Sequence, residues 1–280
     1  MNMYYAAGAG MGHLTRALAF GYSFFRDDED FIFIVSSPHA AAILGKKNFI
    51  TIPPEIMNNP SLLQAWLIRI IDTHAIRDIY LDTFPAGLWG EWNHFPASVN
   101  HRFYLTGRLI DWQKYVDTIV SPPDFERIYI FEPLEQEQQS CYGKLGAKIS
   151  FEVLKYPPAL VPEQFSAFIK TATRPVWLIV HSETEDELLL LYHHARDIAL
   201  LEEIQPEFVI ISPSVPVAIR DEVTSFDFFP AYQCFEDVQK IFTACGFNSM
   251  QQTRTYAHKH IFIPFERKFD NQFLRAGFRR

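Results

Sequence analysis

The sequence predicts an α/β protein made of two doubly wound domains in tandem, and three observations support this fold class. Short apolar strands alternate with helical segments, which is typical of βαβ units and a mainly parallel sheet. A proline-rich stretch, residues 156–175, interrupts the alternation, which then restarts. The chain has 280 residues, 48% of them hydrophobic, which is enough for two cores. We therefore expect domains over residues 1–165 and 166–280 that face each other across a cleft.

The first domain is predicted from apolar runs that end at turn-forming residues. Glycine at position 8 ends the first run, and the pair Pro53-Pro54 ends the third. Apolar residues at helical spacing predict helices over Leu14–Phe25 and Leu62–Ile71. The predicted strands are, in chain order, Met3–Ala7, Phe31–Val35, Asn48–Ile52, Ile76–Leu81, Phe103–Thr106 and Ile128–Phe131.

The second domain repeats the pattern after the prolines. A long helix is predicted over Glu185–Ile204, between two short apolar strands. The run Val238–Ala244 leads into Gly246, in the same way that the first strand leads into a glycine turn. The predicted strands are Val176–Val180, Phe208–Ile211, Phe226–Phe229, Val238–Ala244 and Ile261–Ile263.

Composition and charge exclude several classes of function. The net charge of −8 argues against a nucleic-acid surface. No apolar run approaches the roughly 20 residues of a membrane span, and Met1–Tyr5 lacks the basic start of a secretory signal. The three cysteines have no CxxC spacing and no Cys/His group has zinc spacing. We therefore expect a cytoplasmic protein without a transmembrane segment, a nucleic-acid partner or a metal.

The first strand leads into a turn with glycine at every second position, Gly8, Gly10 and Gly12, followed by His13 and Arg16. Bare backbone and the amides of a helix start favour binding of an anion there. The spacing is not GxGxxG, so a dinucleotide is disfavoured. His13 stands at the helix start, where nearby amides favour a neutral imidazole that can act as a base. The alternative interpretation is a tight turn with a histidine at the helix start.

A second loop, Ala244–Gln252, also follows a strand and opens a helix. Gly246 allows one close approach of a ligand to the backbone, and Asn248 or Ser249 could bind a phosphate. The alternative is structural, because Asn248 and Gln251 have the spacing of a capping box.

Four segments in order resemble glycosyltransferases of the GT-B type, and in particular the predicted glycosyltransferases distantly related to MurG. They are Gly10-Met-Gly-His-Leu-Thr-Arg16, Leu81-Asp-Thr-Phe-Pro-Ala-Gly87, Cys245-Gly-Phe-Asn-Ser-Met-Gln-Gln252 and Pro264-Phe-Glu-Arg-Lys-Phe-Asp-Asn-Gln-Phe-Leu-Arg-Ala276. The resemblance implies two Rossmann-like domains, an N-terminal one for the acceptor and a C-terminal one for a nucleoside-diphosphate sugar.

The resemblance also implies roles for particular residues. His13 would be the catalytic histidine of an acceptor-side or anion-binding loop that includes Gly10, Gly12 and Arg16. Six further residues would form the donor site. Asn248 and Ser249, beside Gly246, would bind the donor phosphates. Gln252 would face the ribose, and Asp270 and Gln272 the donor sugar. A UDP-sugar is the favoured donor and the acceptor is unknown. No cofactor or metal is implied, because helix N-termini stabilise the leaving diphosphate.

Two departures from the family pattern argue for an alternative. Gln252 replaces a glutamate, so it offers the ribose one acceptor instead of two. The expected glycine-rich turn after Val176–Val180 is instead an acidic segment, His181–Glu187, in which Ser182 and Glu185 have capping-box spacing. Its carboxylates would repel a donor diphosphate. The chain is therefore either a glycosyltransferase or a catalytically degenerate relative that binds a small molecule or a protein. A sugar-nucleotide epimerase is a third possibility.

Two groups of residues favour structural interpretations. Trp89 and Trp92, beside Glu91, are expected to pack rather than to stack on a sugar. Arg275, Arg279 and Arg280 are expected to form a solvated helix tail.

Overall fold

The computed structural model describes residues 1–8, 10–25, 31–96, 101–145 and 148–278. The chain divides into two compact units: the first unit comprises Met1–Pro157 with the segment Lys268–Asn271, and the second comprises Pro158–Arg267 and the chain from Gln272 onward. The boundary predicted between residues 165 and 166 lies within a helix of the second unit, Glu163–Thr171.

The first unit contains a seven-stranded sheet in which every described pairing is parallel. The strand order is β3-β2-β1-β4-β5-β6-β7. The strands are β1 Asn2–Ala6, β2 Phe31–Val35, β3 Phe49–Thr51, β4 Asp78–Asp82, β5 Arg102–Gly107, β6 Phe125–Ile130 and β7 Lys148–Phe151. The helices are α1 Met11–Phe24, α2 Ala40–Leu44, α3 Pro60–Thr73, α4 Trp112–Tyr115 and α5 Gln136–Lys144.

The sequence did not predict β7, α2, α4 or α5. Strand β7 is an edge strand whose residues are half-buried or exposed, so it lacks the apolar run of a buried strand. Helices α2 and α4 have five and four residues, which is too short to show a helical period. Helix α5 is mostly polar and buries only Gln138 and Tyr142.

Alternate residues of the strands in the first unit pack against different layers. On one face, Tyr4 of β1 packs against Phe20 of α1, with ring centroids 5.3 Å apart. On the other face, Tyr5 packs against the fully buried Trp92, with centroids also 5.3 Å apart. Trp92 is therefore a packing residue, as the sequence predicted, and Trp89 is partly buried against the same core.

The second unit contains a five-stranded parallel sheet in the order β10-β9-β8-β11-β12. Its strands are β8 Val176–Val180, β9 Glu207–Ile211, β10 Thr224–Phe226, β11 Lys240–Ala244 and β12 His260–Ile263. Its helices are α6 Glu163–Thr171, α7 Glu185–Leu201, α8 Phe247–Gln252 and α9 Gln272–Gly277. The strand predicted over Phe226–Phe229 in fact spans Thr224–Phe226. It ends at Phe226, which pairs with Ile211, the last residue of β9.

Both sheets reverse their order of strand addition at the first strand. In the first unit β1 lies between β2 and β4, and in the second unit β8 lies between β9 and β11. Ligands of doubly wound sheets bind outside the carboxyl ends of the strands at such a point. Within the described part of the chain, no helix combines the length and apolar character needed to cross a membrane.

Candidate functional site

The glycine turn after β1 leads directly into α1. Gly10 is the N-cap of the helix, so no side chain caps the first amides, and Gly12 is exposed in the first helical turn. Ser36, just after the neighbouring strand β2, fixes the turn: the Gly8 amide donates to Ser36 Oγ at 2.8 Å, and that hydroxyl donates to the Gly8 carbonyl at 3.1 Å. The turn is therefore held in place while the start of α1 stays accessible.

The imidazole of His13 lies directly against Gly8. A Cβ at position 8 would be 2.2 Å from His13 Cδ2 and 2.4 Å from Nε2, distances that no real contact allows. A glycine is thus required at position 8 for the ring to occupy this place. The His13 side chain is 16% exposed, so it is confined by the turn but reachable from solvent.

Asp82, the last residue of β4, is the centre of a buried hydrogen-bond network. The Arg16 guanidinium donates to both carboxylate oxygens, from Nε at 2.6 Å and from Nη2 at 2.5 Å. The Tyr4 hydroxyl donates to Oδ1 at 2.9 Å, and His13 Nδ1 lies 2.5 Å from Oδ2. We call His13, Arg16 and Asp82 the Asp82 cluster. It joins the helix after β1 to the end of β4, at the point where the sheet order reverses.

The charges of the Asp82 cluster determine which nitrogen of His13 carries the proton. Burial alone would raise the pKa of Asp82, but Arg16 and His13 lower it well below its usual range, so the carboxylate is ionised and can only accept. Nδ1 of His13 must therefore be the donor. Burial lowers the pKa of His13, with Asp82 opposing and Arg16 and Arg108 adding to the shift, so the ring is neutral and Nε2 is the unprotonated nitrogen.

Thr83, directly after Asp82, has an unusual backbone conformation. Its φ of 72° lies in the left-handed region, which a β-branched residue adopts at a cost of about 1–3 kcal/mol. Its buried hydroxyl accepts hydrogen bonds from Arg16 Nη2 at 3.0 Å and from Arg108 Nε at 3.2 Å. The surrounding arginines therefore hold this strained residue beside the cluster.

The segment Lys268–Asn271 belongs to the first unit and brings Asp270 to Arg108. Arg108 Nη1 donates to Asp270 Oδ1, and the Asp111 amide donates to the Phe269 carbonyl at 2.7 Å. Asp270, predicted to contact a donor sugar, is thus paired with an arginine that also contacts Thr83.

A second buried carboxylate, Glu91, organises the loop after β4. Its Oε1 accepts from the Tyr5 hydroxyl at 2.6 Å and from the Leu88 amide at 3.2 Å, and its Oε2 accepts from the Trp89 amide at 2.8 Å. Burial raises the pKa of Glu91, and these hydrogen bonds oppose the rise. Gly87, with a φ of 82°, has no room for a Cβ beside the carboxylate. Glu91 is therefore a structural anchor of this loop.

The predicted phosphate loop of the second unit lies at the end of β11. Gly246 is the N-cap of α8, and Asn248 and Ser249 lie in its first turn. The capping-box interpretation of Asn248 was wrong, because the helix already begins at Phe247 and has no side-chain cap hydrogen bond. Gln252 is the last residue of the helix and is half-buried.

Two residues of the C-terminal motif are buried in the second unit. The Gln272 side-chain oxygen accepts from the Phe265 amide at 3.1 Å. Arg275 is buried and its Nη1 donates to the Cys245 carbonyl at 2.9 Å, so the prediction of a solvated tail was wrong for this residue. The reason is that α9 packs beside the loop that precedes α8. Arg279 and Arg280 lie outside the described residues.

The acidic segment after β8 separates into exposed and paired carboxylates. Glu183, Glu185 and Asp186 are exposed. Glu187 accepts from both terminal nitrogens of Arg267, each at 2.6 Å. The predicted cap at Ser182 was wrong, because Thr184 immediately precedes α7 and its hydroxyl accepts from the Glu187 amide at 3.4 Å.

His181 completes a second cluster around Glu187. Its Nε2 lies 3.0 Å from Glu187 Oε2, yet it is buried and forms no bond of acceptable geometry with any described residue. Burial lowers the pKa of His181, with Glu187 opposing and Arg267 adding to the shift. We call His181, Glu187 and Arg267 the Glu187 cluster.

Sequence reasoning missed Asp82 as the partner of His13 and Arg16. The available signal was a carboxylate at the end of a predicted strand, because parallel strands bring their carboxyl ends to one edge of a sheet. It also missed the pairing of Glu187 with Arg267, because it treated every carboxylate of the acidic segment as unpaired. No group of three or more potential metal ligands occurs within the described ranges.

Comparison with known proteins finds similarity of fold but not of sequence. No protein-family model and no curated protein matches the chain. UGT2 of Phytolacca americana, solved with UDP-2fluoro-glucose and pterostilbene, has a TM-score of 0.61 at 12% identity, covering 99% of this chain and 82% of its own. The glycosyltransferase SnogD from Streptomyces nogalater has a TM-score of 0.59 at 12% identity, covering 99% and 84%.

A third similar structure is the glycosyltransferase SsfS6 of a Streptomyces species, complexed with thymidine diphosphate. Its TM-score is 0.55 at 11% identity, covering 94% of this chain and 82% of its own. Identities this low carry the fold alone. Together with the two parallel sheets they confirm the resemblance drawn from the sequence motifs: the chain has the fold of GT-B glycosyltransferases, with two Rossmann-like units.

Proposed function

We propose that this protein transfers a sugar from a nucleoside-diphosphate sugar to an acceptor that carries a removable proton, such as a hydroxyl. The observation that carries the proposal is the His13–Asp82 pair, with 2.5 Å between His13 Nδ1 and Asp82 Oδ2, at the carboxyl edge of a sheet in a GT-B fold. A buried carboxylate that orients a neutral, partly exposed histidine is an arrangement that supports general-base catalysis.

In the proposed reaction, His13 Nε2 takes the proton of the acceptor. The acceptor oxygen then forms a bond to the anomeric carbon while the bond from that carbon to the diphosphate oxygen breaks. Among the residues that the structure describes, none hydrogen-bonds Nε2, so this nitrogen is available for the proton. Asp82 stabilises the imidazolium that forms, in the same way that it orients the neutral ring.

Arg16 is a positioning residue in this proposal rather than a ligand of the anion. Its guanidinium is buried and donates to Asp82 and Thr83. It keeps Asp82 ionised and fixes the carboxylate against rotation. The anion-binding role then falls to the backbone of Gly10 and Gly12 at the open start of α1.

The donor site remains a proposal for the second unit. Gly246, Asn248 and Ser249 would meet the diphosphate and Gln252 the ribose. The similar structures solved with a UDP-sugar and with thymidine diphosphate support a nucleoside diphosphate as the ligand, and we propose UDP first. Asp270 belongs to the first unit, where it is paired with Arg108, and its contact with the donor sugar stays a prediction. Gln272 accepts a hydrogen bond from the Phe265 amide, and we assign it this structural role.

The test is UDP binding followed by turnover. UDP is expected to raise the melting temperature of the protein at millimolar concentration, and UDP release from UDP-hexoses is expected in the presence of an acceptor mixture. His13→Ala should abolish release without abolishing UDP binding. His74→Ala is the matched control, because His74 ends α3 just before β4, at the opposite edge of the sheet. If neither UDP nor another nucleoside diphosphate protects the protein, the donor site is wrong.

A catalytically silent binding protein on the same fold is the second candidate. The observations that favour it are Gln252 in place of a carboxylate and the exposed acidic residues at the start of α7. Turnover of a nucleotide sugar that disappears in His13→Ala would eliminate this candidate. Nucleotide binding without turnover of any UDP-hexose would favour it.

A further inference from the structure

The carboxyl edge of the second sheet carries a charged cluster that the proposed catalytic roles do not use. The sheet order places β11 between β8 and β12. His181 directly follows β8, and Glu187 lies in the first turn of α7, the helix that follows that strand. Arg267 follows β12. The Glu187 cluster therefore connects the segments after the two strands that flank β11, at the edge where Gly246 opens α8.

The packing beneath the cluster holds it at that edge. Leu188, Ala244 and Phe265 belong to one buried apolar group, so the residue after Glu187, the last residue of β11 and the second residue before Arg267 are held together. The Arg267 guanidinium lies 5.8 Å from the centre of the Phe265 ring. The position of the charges is thus set by the core and not by surface side chains alone.

The two ion-pair partners are accessible, whereas the histidine is not. The side chains of Arg267 and Glu187 are 23% and 17% exposed, and that of His181 is 3% exposed. His181 Nε2 points toward Glu187 Oε2 at 3.0 Å and is a buried nitrogen without a hydrogen bond from any described residue. A buried polar atom without a hydrogen bond carries a free-energy cost, so this arrangement needs a reason beyond the packing of the core.

From these observations we infer that Arg267 is the cation that the second unit offers to the diphosphate of a nucleoside diphosphate, and that Glu187 occupies its place in the ligand-free protein. The carboxylate binds the guanidinium through two parallel hydrogen bonds, which is the geometry in which arginine also binds a phosphate. Ligand binding exchanges one anion on Arg267 for another. This inference rests on the proposed function, because it takes the diphosphate as the ligand.

The exchange explains how an acidic segment can stand beside a diphosphate site. Glu183, Glu185 and Asp186 are exposed, where water and salt screen their charges. Glu187 is the carboxylate of this segment that competes directly, and in the ligand-free protein Arg267 neutralises it. We therefore expect weakened but not abolished diphosphate binding.

The experiment measures the affinity for UDP by titration calorimetry in the full chain and in five variants. Glu187→Gln should tighten UDP binding by about threefold to tenfold, because one competing charge is removed. Arg267→Gln should weaken it by about tenfold or more, as expected for a lost pair of charge-assisted hydrogen bonds. Arg267→Lys, which keeps the charge but not the two-pronged geometry, should fall between the native protein and Arg267→Gln.

Two controls separate this role from a structural one. Glu183→Gln, which removes an exposed carboxylate of the same segment, should change UDP affinity by less than about twofold. Uridine, which lacks phosphate, should bind all variants alike if it binds the native protein. In the double variant Glu187→Gln/Arg267→Gln, the gain from Glu187→Gln should disappear, because that gain acts through Arg267.

The outcomes also distinguish this inference from the proposed function. If native protein binds UDP and Glu187→Gln leaves the affinity unchanged or lowers it, the inference is wrong and the donor site stands. A purely structural ion pair would give that result, with Arg267→Gln and Glu187→Gln weakening binding together. If neither the native protein nor Glu187→Gln binds UDP or pyrophosphate, both the inference and the donor site are wrong.

Discussion

The two units carry the same three groups at the same edge of a doubly wound sheet, but they bury different members. In the Asp82 cluster the carboxylate and the arginine are almost wholly buried and the histidine is the exposed member. In the Glu187 cluster the histidine is buried and the carboxylate and arginine are accessible. The element that supplies the carboxylate explains the difference, because a strand end lies in the core whereas the first turn of a helix meets solvent. The first cluster thus presents a base, and the second presents a cation with a replaceable anion.

The largest expected effect follows from removing the carboxylate of the first cluster. Asp82→Asn leaves the Arg16 guanidinium buried without a counter-charge, which should lower the free energy of unfolding by about 3–5 kcal/mol. Urea denaturation measures this loss. Asp78→Asn is the matched control, because Asp78 lies on the same strand and also accepts two hydrogen bonds from an arginine, but Arg102 is 55% exposed. The control should cost less than about 1 kcal/mol, and equal losses would contradict the distinction.

Glu91 tests whether the second buried carboxylate of the first unit is equally structural. Glu91→Ala removes the acceptor for one hydroxyl and two amides, and we expect a loss of about 3 kcal/mol of stability in the same urea measurement. Glu91→Gln keeps the shape and one oxygen and should lose less. If Glu91→Gln and Glu91→Ala cost the same, hydrogen bonding by the carboxylate is not what holds the loop.

A substitution at Gly8 tests whether sugar transfer depends on the position that the His13 ring occupies against the glycine turn. In Gly8→Ala the new Cβ would overlap the imidazole of His13, so the ring must move. Displacement of a reacting group by about 1 Å costs on the order of a hundredfold in rate, and we expect that loss in kcat for sugar transfer. Gly143→Ala, at a position with no atom within 4 Å of the new Cβ, is the control and should keep full activity. A fully active Gly8→Ala would show that His13 need not lie against the turn.

The pH dependence of transfer tests the charge state of His13. Its pKa in the folded protein is lowered, so the base form persists to more acidic pH than in a free histidine. Transfer is therefore expected to be fully present above the ordinary value of 6.5 and to be lost as pH falls through the lowered pKa. Arg108→Gln removes a nearby positive charge and should move this acid limb to higher pH. Profiles of kcat/KM measure both, and an acid limb above 6.5 in the native protein would contradict the assignment.

The smallest expected effect is the loss of the second carboxylate. Glu187→Gln should lower the free energy of unfolding by less than about 1 kcal/mol, because both partners of the ion pair are partly exposed. Urea denaturation under the conditions used for Asp82→Asn gives a direct comparison. A cost as large as that of Asp82→Asn would mean that the Glu187 cluster is a structural lock, and the contrast between the two units would no longer hold.

The fold could be read from the sequence to a large extent, because buried parallel strands must be apolar along their length. Phe31–Val35 and Val176–Val180 were predicted with the bounds that the structure has. Segments without this constraint were missed, such as the half-exposed β7, Lys148–Phe151. Helix caps were misplaced for a related reason: Ser182 and Thr184 have equal capping chemistry, and the packing of α7 decides between them.

The candidate site likewise has features that the sequence predicted and features that it did not. The sequence alone determined the alternation of strands and helices, the glycine turn before α1 and the presence of His13 at the helix start, because these depend on residues close together in the chain. Only the tertiary structure decided which charges meet. Arg16 and Asp82 are 66 residues apart and Glu187 and Arg267 are 80 apart, and each pair forms because parallel strands bring distant carboxyl ends to one edge. Burial, which follows from that packing, then decides which member of each cluster faces the solvent.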